Sequence, residues 1–254
     1  MSRTHDTVVE DQFGPRADAY VASAVHASGE DLDALEAIAA RVAPAHALDL
    51  GCGGGHVAYR LARHAREVTA SDLSSEMLAA VAASASERRL ANVATRVGAA
   101  EALPFADATF DFLGCRFSAH HWRDFERGLR EARRVMQPGA TAVFIDVISP
   151  GGAVLDTHLQ TVELLRDPSH VRDYTAAEWL SALDRAGFAV RATKARRLRM
   201  DYPVWVERMR TPEDHRVAIR SLQRMAAAET VAWYGIEADG SFTLDTLEVE
   251  AVAG

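Results

Sequence analysis

Four of the five residues from Gly51 to Gly55 are glycines, set between an apolar run, HALDL, and a run of helical character, HVAYRLA. A backbone stripped of side chains at the end of a buried strand lets a ligand approach main-chain amides closely. The chemistry implied is the binding of a nucleotide or a nucleotide-like cofactor. A dinucleotide turn reads G-x-G-x-x-G/A, its third small residue allowing the helix to pack against the strand. Aligned on Gly51 and Gly53, that third place holds His56. The spacing is instead G-x-G-x-G, with Asp49 just ahead of it. A pyrophosphate disfavours a nearby carboxylate, whereas a ligand carrying an ammonium and a sulfonium tolerates or uses one. The turn therefore fits S-adenosylmethionine (SAM) better than NAD. Asp72 ends the next apolar run, EVTASD. A carboxylate there can accept from ribose hydroxyls or cap the following helix.

The second group with chemical potential is His120-His121-Trp122. An imidazole titrating near neutrality can act as a general base. It can equally pack and hydrogen-bond so as to shape the pocket; that reading suits His120, and His121 is open to both. No third ligand accompanies the pair, so a metal site is not expected. Cys52 and Cys115 are small residues in or beside apolar runs and read as packing. Arg196, Arg197 and Arg199 read as the solvated face of an edge strand, and Trp205 and Met209 as core of an insertion. Glu101 is either a site residue or a surface carboxylate.

The elements that must position these residues alternate along the chain. Helical spacing covers 31–42 and stops at Pro44. Strands follow at 46–52, 67–72, 93–99, 109–117 and 141–148, with helices at 55–64, after Ser74, and over 124–136 up to Pro138-Gly139. Beyond Ile148 come a helical stretch, a capped helix ending at Gly187, a strand over about 189–198, mostly helical residues from 202 to 228, and a final strand, SFTLDTLEVEAV. Strands joined by helix-length connections imply an α/β doubly wound sheet, Rossmann-like and mostly parallel with an antiparallel last strand, covered by helices on both faces. Such a sheet binds ligands at the carboxyl ends of its strands, where strand order reverses. One domain over 1–254 is expected, with a cap at 1–30 and helical lid insertions at 149–175 and 201–230.

Composition narrows the function classes. The 254 residues carry a formal net charge of −8, which argues against a dedicated nucleic-acid binder. No apolar run is long enough to span a bilayer, and MSRTHDTVVEDQF has no apolar core of signal-peptide length. Two cysteines imply no disulfide framework, so a cytoplasmic location is expected. Lys194 is the only lysine among many arginines and alanines, a composition of GC-rich bacterial genomes.

LDLGCGGG, ASDLSSEML, GAAEALPFADATFDFLGCRFSAHHW and EARRVMQPGATAVFID, taken in this order, resemble the class I SAM-dependent methyltransferases. The resemblance is to the small-molecule branch similar to the ubiquinone/menaquinone-biosynthesis (type 11) enzymes. It covers about residues 47–147, and FGPRADAYVAS resembles the segment by which that branch closes over its cofactor. The resemblance implies that Gly51, Cys52, Gly53 and Gly55 face the methionine part of SAM and that Asp49 holds its amino group. It places Asp72 and Leu73 at ribose and adenine, Met77 over an adenine face, and Ala100 and Glu101 at the adenine edge. The family often has an acidic residue where Ala99 stands, so one adenine contact is missing or made by backbone. Arg116, Phe117 and His121 are implied near the sulfonium and acceptor, with Tyr20 closing the site and Phe13 beside it. The activity implied is methyl transfer from SAM, leaving S-adenosylhomocysteine (SAH), to O, C or N of a small, partly apolar acceptor. The insertions, rich in Leu, Val and Trp, suit such a molecule. A monomer or homodimer is expected, without nucleic acid or membrane insertion. A SAM-binding protein that transfers no methyl group, or less readily a nicotinamide-dependent oxidoreductase, is the alternative.

Overall fold

The computed structural model describes residues 3–17 and 28–254. Seven strands form a single sheet in the order β3-β2-β1-β4-β5-β7-β6. They are β1 (His46–Leu50), β2 (Glu67–Asp72), β3 (Val93–Val97), β4 (Phe110–Arg116), β5 (Met136–Ile148), β6 (Phe188–Met200) and β7 (Phe242–Ala253). The pairs β1–β2, β2–β3, β1–β4 and β4–β5 are parallel. β7 runs antiparallel to both of its neighbours, β5 and β6. Order reverses between β1 and β4, and the crevice at their carboxyl ends opens there. This is the expected Rossmann-like doubly wound sheet.

Helices cover both faces because successive strand residues alternate between them. On one face α2 (Glu30–Val42), α3 (His56–Leu61) and α4 (Ser75–Glu87) enclose Ala47, Val68, Phe112, Val143 and Ile145. On the other, α5 (Phe125–Val135) and α7 (Ala176–Ala186) enclose Leu48, Leu50, Leu113 and Phe144, with Trp179 and Leu183 supplied by α7. A third cluster joins α6 (Ala153–Arg166), α8 (Tyr202–Arg208), α9 (Glu213–Met225) and α10 (Ala228–Tyr234) to the start of β7, around Trp205, Tyr234 and Phe242.

Caps set the helix ends. Ser74 accepts from the Met77 amide and Asp124 from the Arg127 amide. Thr175 and Glu178 form a reciprocal capping box, and Gly187 ends α7 at φ +92°.

Two elements depart from the sequence reading. α1 (His5–Phe13) is a helix where only a cap was expected; Thr4 caps it through the Thr7 amide. The helix expected through Met136 ends at Val135, and β5 begins at once at Met136. Pro138-Gly139 lies inside β5, where the pairing slips: Met136 sits opposite Phe110, and Thr141 opposite Phe112. A bulge at a strand start tolerates a residue without an N–H.

Candidate active site

The glycine turn joins β1 to α3 with Gly51, Gly53 and Gly55 at φ +69°, +47° and +77°. The amides of Gly51 and Cys52 both donate to the Ser71 carbonyl, tying the turn to β2. A Cβ on Gly51 would lie 1.9 Å from Ser118 Oγ, so the loops after β1 and β4 approach as only glycine permits. Around Gly53 there is open space: an added Cβ would meet nothing within 4 Å. A cavity of about 670 Å³ begins here, within the size range of ligand pockets.

Gly51, Cys52 and Gly53 line this cavity, and Gly55 stands behind them against the Tyr59 ring. Asp49, 1% exposed, lies at its floor and accepts from the Ala58 amide at 2.8 Å. Burial pushes its carboxyl up to about 7, with the nearby charge of Asp72 adding to the effect. Asp72 accepts from Gly53 N at 2.9 Å and Ser74 N at 3.0 Å. Burial raises its carboxyl too, against those amide bonds. Asp72 is held against the turn by the Gly53 amide and Asp49 beneath it by the Ala58 amide of α3, which sets two carboxylates beside main-chain amides at one end of the cavity.

Leu73, Ala100 and Glu101 continue the wall. Glu101 is 6% exposed and accepts from the Asp124 amide at 3.1 Å, so it is no surface carboxylate. Ala99 forms a backbone bridge to Ala102. Met77 is buried on α4 and does not reach the cavity wall. Phe13 lines the cavity from α1, while Tyr20 lies outside the described residues. Gly14, just after α1, backs onto Ser74 and Glu76, so this segment crosses the start of α4. Arg116 and Phe117 also line the cavity. Arg116 donates from Nε to Asp31 at 2.5 Å and lies over the Phe117 ring.

The two histidines occupy different settings. His121 bonds through Nδ1 to Ser169, meets Phe13 edge-on, and accepts on its carbonyl from His5 of α1. Burial, with the adjacent His120 charge, drives its imidazole down to about 4. His120 bonds through Nδ1 to Asp146 at 2.6 Å. Burial is the largest single effect and opposes its charge, but Asp146, with Asp173 and Glu163 adding to it, outweighs burial and the imidazole is pushed up to about 9. Deeper walls come from α6 and α8 with β6 and β7: Glu163, Arg166 and Trp205, then Leu198, Met200 and Leu244. Trp205 is thus both insertion core and cavity wall. Arg197 and Arg199 are exposed as expected, but Arg196 turns inward and pairs with Glu248 at 2.7 Å.

The sequence reading missed Asp146, Asp31, Glu163 and Asp173 as cavity or cavity-supporting residues. A signal for Asp146 was available: β4 and β5 are adjacent parallel strands, and both His120 and Asp146 lie at their carboxyl ends. No helix of the described residues is long and apolar enough to cross a membrane.

Residues 48–144 match the family described as methyltransferase domain. The uncharacterized protein YafE of Escherichia coli is 44% identical over 201 residues, covering 79% of this chain and 97% of that protein. The uncharacterized methyltransferase YcgJ of Bacillus subtilis is 34% identical over 205 residues, 81% of either chain. Its crystal structure superposes with a TM-score of 0.84 at 30% identity, covering 87% of this chain and 97% of that one. A ubiquinone/menaquinone-biosynthesis C-methyltransferase, UbiE of Rubrivivax gelatinosus, is 38% identical over 113 residues, 44% of this chain and 43% of that protein. A likeness of this length, laid over the same sheet, makes the chain a member of the SAM-dependent methyltransferase family.

Proposed function

We propose that the chain transfers the methyl group of SAM to O, C or N of a small, partly apolar acceptor. One observation carries the reading: a single cavity runs from the amide-lined glycine turn to the wall formed by Trp205, Leu198 and Leu244. SAM, when bound, supplies an electrophilic methyl on a cationic sulfur. The chain's own task is then to hold, orient and dehydrate. Amides of the 51–54 turn would hold the methionine part, with Asp49 facing its ammonium and Asp72 the ribose. Leu73, Ala100 and Glu101 would flank the adenine, and Arg116, Phe117 and His121 the reacting end. α1 covers one side of the cavity, and α6 and α8 supply the far wall, which suits a cap over 1–30 and lids over 149–175 and 201–230. The UbiE-type relative is named for methylation in quinone biosynthesis, which supports a small ring-bearing acceptor.

A thermal-shift panel with SAM, SAH and NAD tests the cofactor. A ligand at a hundred times its Kd adds about 2.7 kcal/mol, or roughly 5–10 °C in Tm for a chain of this size. Stabilisation by SAM and SAH but not NAD is expected. Stabilisation by NAD alone would overturn the reading. SAH release in the presence of a pooled small-molecule extract then separates a transferase from a protein that only binds SAM.

A further inference from the structure

We propose that His120, oriented by Asp146, holds the methyl acceptor, and that it takes the acceptor as an oxyanion derived from a phenol or enol. The inference rests on the SAM reading of the same cavity and adds the acceptor's class to it.

The geometry comes first. Asp146 is 2% exposed, and beyond His120 Nδ1 its carboxylate accepts from the amides of His120 at 3.3 Å and Val147 at 2.9 Å. It cannot swing away, so it fixes the proton of His120 on Nδ1 and the plane of the ring. Nε2 then faces a different direction. It makes no hydrogen bond with any described residue, while the side chain keeps 16% exposure and lines the cavity. Val147, next to Asp146, begins the apolar wall that continues through Phe117, Leu198, Trp205 and Leu244. A flat, unsaturated body fits against that wall with its oxygen at Nε2.

Charge then decides what His120 can do. Asp146 faces it from β5, Glu163 and Arg166 from α6, and Asp167, His170 and Asp173 from the segment after α6; His121 adjoins it on its own turn. Among the three imidazoles, His121 and His170 are driven down by burial and by the charge on His120, so the proton resides on His120. An imidazole already protonated at neutral pH is no base toward a neutral alcohol. It is instead a charged donor, and a charge-assisted hydrogen bond holds an anionic oxygen more strongly than a neutral one. The hydroxyl that matches it is one acidic enough to lose its proton to water on binding, as phenols and enols are and alkanols are not. The proton balance is simple: the acceptor's proton leaves to solvent, and His120 keeps its own. Asp146 is a positioning residue, acting only through His120.

The test uses the whole chain loaded with SAH and 4-nitrophenol, whose phenol and phenolate forms absorb at different wavelengths. Calorimetry with SAH precedes it, so that failure to bind SAH counts against the SAM reading and not against this one. With SAH bound, the ratio of phenolate to phenol for the bound probe is expected to exceed that in free solution by tenfold or more. His120→Asn and Asp146→Asn proteins that still bind SAH should lose this enhancement. In the wild type, which needs no variant, the NMR titration of the His120 imidazole should lie well above neutrality, and Asp146→Asn should bring it below. A probe that binds as neutral phenol overturns the inference, as does an enhancement that survives His120→Asn or no probe binding to SAH-loaded protein. Preferential, His120-dependent binding of benzoate would overturn the hydroxyl assignment.

Discussion

Replacing Gly51 by alanine tests the tightest approach in the site. At φ +69° an alanine pays about 1–2 kcal/mol for the left-handed backbone. Its Cβ would also fall 1.9 Å from Ser118 Oγ and 2.6 Å from Ser118 Cβ. Rotation about χ1 can move Oγ but not Cβ, so Ser118 must rotate and the loop after β4 must also shift. Rotation breaks the 3.2 Å bond from Trp122 Nε1 to Ser118 Oγ, costing about 1 kcal/mol. With some repacking, the loss is about 3 kcal/mol, or roughly 6–12 °C in Tm. Gly53→Ala is the internal control, because its backbone is also left-handed but its Cβ meets nothing within 4 Å. It should cost only about 1 kcal/mol while weakening SAH binding, since the methyl group enters the cavity. Urea denaturation of Gly51→Ala, Ser118→Gly and the double variant isolates the clash. The double variant should be more stable than the sum of the singles by about 1–2 kcal/mol. Strict additivity, or equal losses for Gly51→Ala and Gly53→Ala, would refute the argument that these two loops meet at van der Waals contact.

Asp49 gives the wild type a pH signature. Its folded carboxyl titrates at about 7, above the ordinary 3.8, so the folded state binds the extra proton between those values. Stability therefore falls as pH rises through this window; Asp49→Asn should flatten that slope and be the more stable protein at pH 8, by about 2–4 kcal/mol. If Asp49 faces the ammonium of the cofactor, SAH affinity should rise from pH 6 to 8 in the wild type and stay flat in the variant, as read by calorimetry at several pH values. Gly128→Ala sets helix propensity against packing. Alanine favours α5 by about 1 kcal/mol, but its Cβ would sit 2.4 Å from the Trp122 ring; overpacking should win, with a net loss of about 1–2 kcal/mol in thermal melts.

The sheet and the cofactor side of the site were legible because both are written locally. The glycine turn is contiguous, Asp72 closes a strand, and the central strands β4 and β5 carry strong apolar runs. What stayed hidden depends on contacts distant in sequence. α1 has a polar sequence, HDTVVEDQF, with little helical stripe, and its place comes from docking: His5 on the His121 carbonyl and Phe13 on the His121 ring. Arg196 reads like its neighbours Arg197 and Arg199, yet strand alternation turns it to the opposite face, where Glu248 of β7 waits. The pairing of His120 with Asp146 spans 26 residues and appears only when β4 and β5 are laid side by side. For Pro138-Gly139 the turn signal was real, but a bulge within β5 absorbed it.

The place of β7 governs the order in which the molecule can be completed. β7 lies between β5 and β6 and supplies an edge to each, yet both of those strands precede it in the chain. During synthesis β1 to β5 can assemble first, because each has its parallel partner already made. β6 then emerges with nothing to pair with, and β5 presents a bare edge until residues 242–253 arrive. Bare edges recruit strands from other chains. A ribosome stalled before residue 242 therefore holds a nascent chain with two sticky strands, and the final dozen residues of the sheet act as the plug that ends its exposure to aggregation.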